Sequence, residues 1–202
     1  MVALGDMIEI LILGATLANA AGASGARVRR RILAARSLER YARWRSHTYI
    51  PAARGHESPR VEGSKSEVAF TVDLVKVSGH LRTRVRAPVT KGPGARVAIV
   101  QRGGIGRALR SRTEGETEVG IEAFDNAYRL HGMAPDEARD WLGESLAHLV
   151  ILDERADVWL GSDGATVTLA WGGVEMNPLV IDAARDLVVS LASWHRPEFP
   201  YR

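Results

Sequence analysis

The chain contains no cysteine, which excludes disulfide bonds, thiolate nucleophiles and cysteine-ligated zinc. Such a composition fits a reducing compartment. Lysine is scarce as well, with Lys65, Lys76 and Lys91 the only three among 27 basic residues. Asn19, Asn126 and Asn177 all lack the glycosylation sequon. Only one long apolar stretch occurs, near the N-terminus. What is present suits a folded protein: 202 residues, 46% hydrophobic and 25% charged, enough for one domain with a full core and an appendage.

The charges are unevenly placed. Arg27 to Arg112 holds 21 basic against 5 acidic residues, whereas Thr113 to Arg202 holds 6 against 17. The net charge of +3 therefore hides a dipolar sequence. Such a split suits attraction to an anionic surface, or two halves that neutralise each other within one fold.

Met7–Ala26 reads MIEILILGATLANAAGASGA and is followed by Arg27, Arg29, Arg30 and Arg31. About 20 residues at 1.5 Å rise would cross a hydrocarbon core of roughly 30 Å. The arginines behind the segment would then hold the rest of the chain on the cytoplasmic side. Gly14, Ala18 and Gly22 recur every four residues, a small-residue face through which two copies would meet in lipid as a homo-oligomer. A soluble packing helix and a cleaved signal peptide compete with this reading. Asp6 and Glu9, in place of a basic start, disfavour the signal.

Val28 to Arg45 has neither glycine nor proline. Val28, Ile32, Ala35, Leu38 and Ala42 give a helical apolar stripe. Arg27, Arg29, Arg30, Arg31, Arg36, Arg40, Arg43 and Arg45 occupy the other faces, with Tyr41 and Trp44 among them. Arginine heads beside aromatic rings suit anionic lipid, and equally the phosphates and bases of a nucleic acid. The expected anionic-surface set is Arg27, Arg29, Arg30, Arg31, Arg36, Arg40, Arg43 and Trp44.

The divisions expected are an apolar segment at 1–26, a basic helix at 27–46, an irregular linker at 47–66, a globular domain at 67–196 and a tail at 197–202. In the domain, Val68, Phe70, Val72 and Leu74 alternate as in a half-buried strand. Leu81–Val89 and Arg96–Gln101 follow as the second and third strands of a meander, with Arg82, Arg84 and Arg86 on one face. Short strands are expected at Thr117–Ile121 and Tyr128–Leu130, and a helix from Pro135. Val158–Leu160 and Thr166–Trp171 form a hairpin, and Asn177 caps a last helix with Pro178 at its first position. The fold class is α+β: a mostly antiparallel sheet with two helices packed on one face, preceded by a long N-terminal helix.

The stretch Glu122-Ala123-Phe124-Asp125-Asn126-Ala127-Tyr128-Arg129-Leu130, within this order of elements, resembles a group of uncharacterised bacterial proteins. In that group a small α+β domain follows an N-terminal membrane segment. The resemblance implies the fold and a membrane segment, and no activity. Phe124 is expected in the core, and Asp125 is expected to hold a turn.

No motif for chemistry stands out. His47, His56, His80, His131, His148 and His195 include no pair at zinc-protease spacing. His80 and His131 lie near strand ends, where a shared site with carboxylates would suit a small enzyme. Gly103-Gly104-Ile105-Gly106 has Leu109 where a dinucleotide fingerprint needs glycine, and Ser162 lacks a nucleophile elbow. No metal site or cofactor is expected. The leading expectation is a non-enzymatic, membrane-tethered interaction domain on the cytoplasmic face, with an anionic lipid membrane and a protein as partners. The alternative is a nucleic-acid-binding module that uses the basic helix with Arg82, Arg84 and Arg86.

Overall fold

Local sequence and long-range pairing build one sheet. The structure, a computed structural model, describes residues 32–52, 58–90, 96–102, 116–152 and 155–194. Its strands are β1 (Thr48–Ile50), β2 (Arg60–Lys65), β3 (Val68–Val77), β4 (His80–Pro88), β5 (Arg96–Gln101), β6 (Glu116–Thr117), β7 (Tyr128–His131), β8 (Trp159–Asp163) and β9 (Thr166–Gly172). They lie in the order β1-β2-β3-β4-β9-β8-β5-β7-β6, and neighbouring strands run antiparallel throughout. The helices are α1 (residues 32–45), α2 (Glu122–Ala127), α3 (Pro135–Leu142), α4 (Leu146–Leu152) and α5 (Pro178–Ser193). The α+β class and the helix ahead of the sheet are as the sequence predicts.

Period-two patterning sets which face of the sheet is covered. Phe70, Val72, Leu74, Val85, Val167, Leu169 and Trp171 point to one side and share a core with Val180, Ala184, Leu187, Val188 and Leu191 of α5. On the other side Thr71, Val75, Arg84, Arg86, Thr166 and Thr168 are half-buried. Ser78 and Gly79 both take positive φ, 49° and 86°, and close the β3–β4 hairpin with the twist that suits its strands. Asp163 Oδ1 accepts from the Ala165 and Thr166 amides at 2.8 and 2.7 Å, which closes β8–β9. Asn177 Oδ1 accepts from the Leu179 amide at 3.0 Å and caps α5. The two Asp125 oxygens each take an amide at 2.8 Å, from Val119 and Gly120, and Phe124 is buried beside them.

Other expectations change. Strand β5 does not continue a meander from β4, because β9 and β8 lie between them. The 47–66 stretch, read as a linker, carries β1 and β2 at the sheet edge. Gly63 is needed there: a Cβ would stand 2.8 Å from the rings of His47 and Phe70. In α1 the buried stripe is Ala34, Ser37, Leu38, Tyr41 and Ala42, while Ile32 is exposed. Strands β4 and β7 are four spacings apart, about 19 Å, so His80 and His131 do not share a site.

The membrane expectation is also corrected. Among the described residues no helix is long and apolar enough to cross a membrane; the longest, α5, has 16 residues. The membrane-tethered function, the anionic lipid partner, the cytoplasmic-face localisation and the membrane-segment resemblance lose their support with it. Met7–Ala26 lies outside the described residues, as do Gly14, Ala18 and Gly22 of the expected helix contact, Arg27, Arg29, Arg30, Arg31, and the Gly103–Gly106 loop.

One buried residue joins β9 to the helices. Glu175 Oε1 accepts from the Met176 and Asn177 amides at 3.0 and 2.9 Å, and Oε2 accepts from Arg155 Nε at 2.8 Å and Trp171 Nε1 at 3.3 Å. Its own amide donates to Thr83 Oγ1 on β4, and its carbonyl accepts from Ser37 Oγ on α1 at 2.5 Å. Truncation strands several buried donors together. Glu175→Ala should cost about 3 kcal/mol of unfolding free energy in urea titration; a loss below about 1 kcal/mol would show that these bonds do not hold the junction.

Candidate nucleic-acid interface

Helix α1 is built with two unlike sides. At 3.6 residues per turn, Arg36, Arg40, Arg43 and Trp44 fall within about 100° of arc, opposite the buried stripe. All four are exposed, with Arg43 79% and Trp44 49% accessible. The three arginines cover about 10 Å of helix axis. Arg43 Nη2 donates to Glu39 one turn back at 2.6 Å, a weak exposed pair. Arg36 and Arg40 have no ion pair among the described residues.

Arg45 belongs to the inward side, one turn beyond Tyr41, and is tied to Asp182 of α5 through both Nε, at 2.8 Å, and Nη2. Its guanidinium lies 3.8 Å from the centre of the Trp44 ring, so one face of that indole is covered and held. Asp182 gathers two more donors, Tyr41 Oη at 3.1 Å and Arg185 Nη1 at 2.8 Å. Arg185 also reaches Asp186 at 2.7 Å, which Lys65 of β2 contacts at 2.7 Å.

This network shifts its members. Burial, then the Asp182 charge, drives the Tyr41 hydroxyl far above its ordinary pKa despite Arg185 nearby. Burial works against a charged Arg185, yet its bond to Asp186 and the surrounding acids raise its pKa. Burial opposes charge on Asp186 too, but Lys65 and Arg185 outweigh it and lower the pKa. His47 packs edge-on against Phe70, with ring centres 5.0 Å apart, and its Nε2 is buried without a partner. Burial first, then Arg185 and Arg45, lower its pKa against the pull of Asp182.

The strand arginines are placed differently from the helix ridge. Arg84 Nε and Nη2 grip both oxygens of Asp73 at 2.8 and 2.7 Å, and Arg86 Nη2 adds a third bond at 3.1 Å. Arg84's own bonds to Asp73 raise its pKa in spite of burial. Arg82 faces Asp157 instead. The three do share one face, as their alternation predicts, but carboxylates already occupy them. His80 lies with Arg82 and Asp157 on the wall of a cavity. Sequence reasoning did not find Asp182, Arg185 or Glu175. Each lies within an ordinary helix or cap, and the partners that tie it to the rest of the fold, Tyr41 and Arg45 for Asp182, Tyr41 for Arg185, and Thr83 and Ser37 for Glu175, are far away in the chain.

Compared with known proteins, the chain matches no family model, no curated protein and no solved structure.

A group whose pKa is lowered by folding makes the native state reject a proton that the unfolded chain accepts. For His47 the native state should therefore be most stable above its ordinary pKa of about 6.5, with stability falling as the pH drops below it. Asp186 acts in the same direction only near and below the ordinary range of Asp, about 3.9. Urea titrations between pH 8 and 5 should show a shallower decline for His47→Gln than for the natural chain. Parallel curves would remove His47 from the network's energetics.

Proposed function

We propose that the protein binds single-stranded nucleic acid, with α1 as its contact element. The carrying observation is the exposed arc of Arg36, Arg40, Arg43 and Trp44 on a helix whose opposite side is locked to α5. Exposed guanidinium groups track a phosphate backbone without reading sequence, and release counterions as they do so. Trp44, backed by Arg45, offers its other face to a base, and stacking on an aromatic ring is tolerant of base identity. A fixed helix loses little freedom when the strand arrives, so less of the contact energy goes into ordering. Arg27, Arg29, Arg30 and Arg31 continue the same basic run in sequence and belong to the proposed contact.

In this reading Arg82, Arg84 and Arg86 contribute little, because breaking a carboxylate pair to reach a phosphate returns only a difference of two similar interactions. Binding is consequently electrostatic and salt-dependent.

Fluorescence anisotropy with a labelled 20-nucleotide single strand tests this. Affinity should fall steeply between 50 and 200 mM salt. Replacing Arg36, Arg40 and Arg43 together with alanine should lower the log–log salt slope by about 2. Trp44→Ala should weaken binding by roughly tenfold at constant slope. Because these residues are exposed, each variant should keep its stability within about 0.5 kcal/mol. Undiminished binding by the triple variant would overturn the proposal, as would no binding at low salt.

A further inference from the structure

A cavity of about 390 Å³ opens beside the start of β4. Its apolar walls are Leu33 of α1, Leu81 of β4, and Val174 and Met176 between β9 and α5. Gly173 leaves part of the wall bare, with nothing within 4 Å of where a Cβ would stand. Arg82 and Asp157 also line it, but they face each other as an ion pair. Neither offers an unpaired charge to an occupant, so the cavity suits uncharged hydrocarbon.

Exposed apolar surface gathers at this end of the fold. Among the described residues the large exposed hydrophobic side chains are Ile32, Leu33, Trp44, Val77, Met176 and Leu179. All but Trp44 stand on the cavity wall or within three residues of a wall residue, since Val77 pairs with His80 of the lining. Clustered exposure of this kind marks a surface that another segment or molecule covers.

The chain itself holds a matching segment. Ile10-Leu11-Ile12-Leu13 presents four aliphatic side chains and no charge, within the long apolar stretch that the nucleic-acid contact does not use. The first described residue, Ile32, adjoins Leu33 on the cavity wall, so residues 14–31 would lead from this run to the cavity. At up to about 3.3 Å per residue, that length reaches any part of the wall. A covalent connection also supplies the run at an effective concentration on the order of millimolar. A second copy in dilute solution cannot match that. We propose that residues 10–13 of the same chain occupy the cavity and cover Leu33, Leu81, Val174 and Met176.

Because the chain has no cysteine, introduced thiols report the contact directly. Leu11→Cys with Met176→Cys in the full chain places one thiol on the run and one on the wall. Met176 is 45% exposed, so the fold should tolerate its replacement. Under mild oxidation in dilute solution this pair should close to an intramolecular disulfide at least tenfold faster than Leu11→Cys with Ser64→Cys, read on non-reducing gels. Ser64 is exposed on β2 and pairs with Ala69, about 26 Å along β3 from Val77. Leu33 is exposed as well, and adding Leu33→Asp to the first pair should slow closure at least fivefold, because the run then meets a charge. Equal closure rates for the two pairs would overturn the proposal, as would no effect of Leu33→Asp. Disulfide-linked dimers as the main product of the first pair would also overturn it and give the cavity to a second copy.

Discussion

The structure depends on a carboxylate that cannot be left unsatisfied. Glu175 sits between the end of β9 and the cap of α5, only 9% exposed. Taking an ion out of water costs several kcal/mol unless good partners replace the solvent. Here they do: Arg155, the Trp171 indole and two backbone amides surround its oxygens. The same residue's main chain binds Thr83 of β4 and Ser37 of α1. One residue therefore fixes where α1 lies against the sheet and where α5 begins. The helix surface proposed for nucleic acid inherits its position from this junction, since Ser37 of α1 donates to the Glu175 carbonyl.

The division of charge along the chain acquires a second meaning in the fold. Arg45 with Asp182, Lys65 with Asp186 and Arg82 with Asp157 each join the basic half to the acidic half. Part of the sequence dipole is thus spent on internal complementarity, which reduces the field that a partner would feel. Among the described residues, Arg36 and Arg40 on the outer side of α1 have no such carboxylate partner. A net count along the sequence sees the imbalance and misses this partition.

What the sequence revealed was what short-range physics determines. The β8–β9 hairpin, the Asn177–Pro178 start of α5 and the turn held by Asp125 all depend on residues within a few positions of each other. The neighbours of β5 were not legible, because period-two alternation identifies a strand and its faces but not the strand beside it. The buried side of α1 was misread by part of a turn for a related reason. Ser37 and Tyr41 are polar enough to look exposed, and they are buried by partners 138 and 141 residues away. Helix periodicity weighs hydrocarbon, whereas this helix is seated partly by hydrogen bonds. The edge strands β1 and β2 were hidden by the glycines and prolines around them, although Gly63 is there to admit the rings of His47 and Phe70.

Among the arginines, burial decides which are structural and which are free to meet a partner. Arg82 at 8% and Arg84 at 26% exposure lie where the effective dielectric is low, so a nearby carboxylate is close to obligatory. Arg43 at 79% is solvated, its pair with Glu39 is weak, and an incoming phosphate can replace that pair at little cost. The sequence pattern grouped Arg82, Arg84 and Arg86 with the helix arginines because all are cations spaced along one face. Desolvation separates the two groups: the strand cations are held within the molecule, and the helix cations are available to a polyanion.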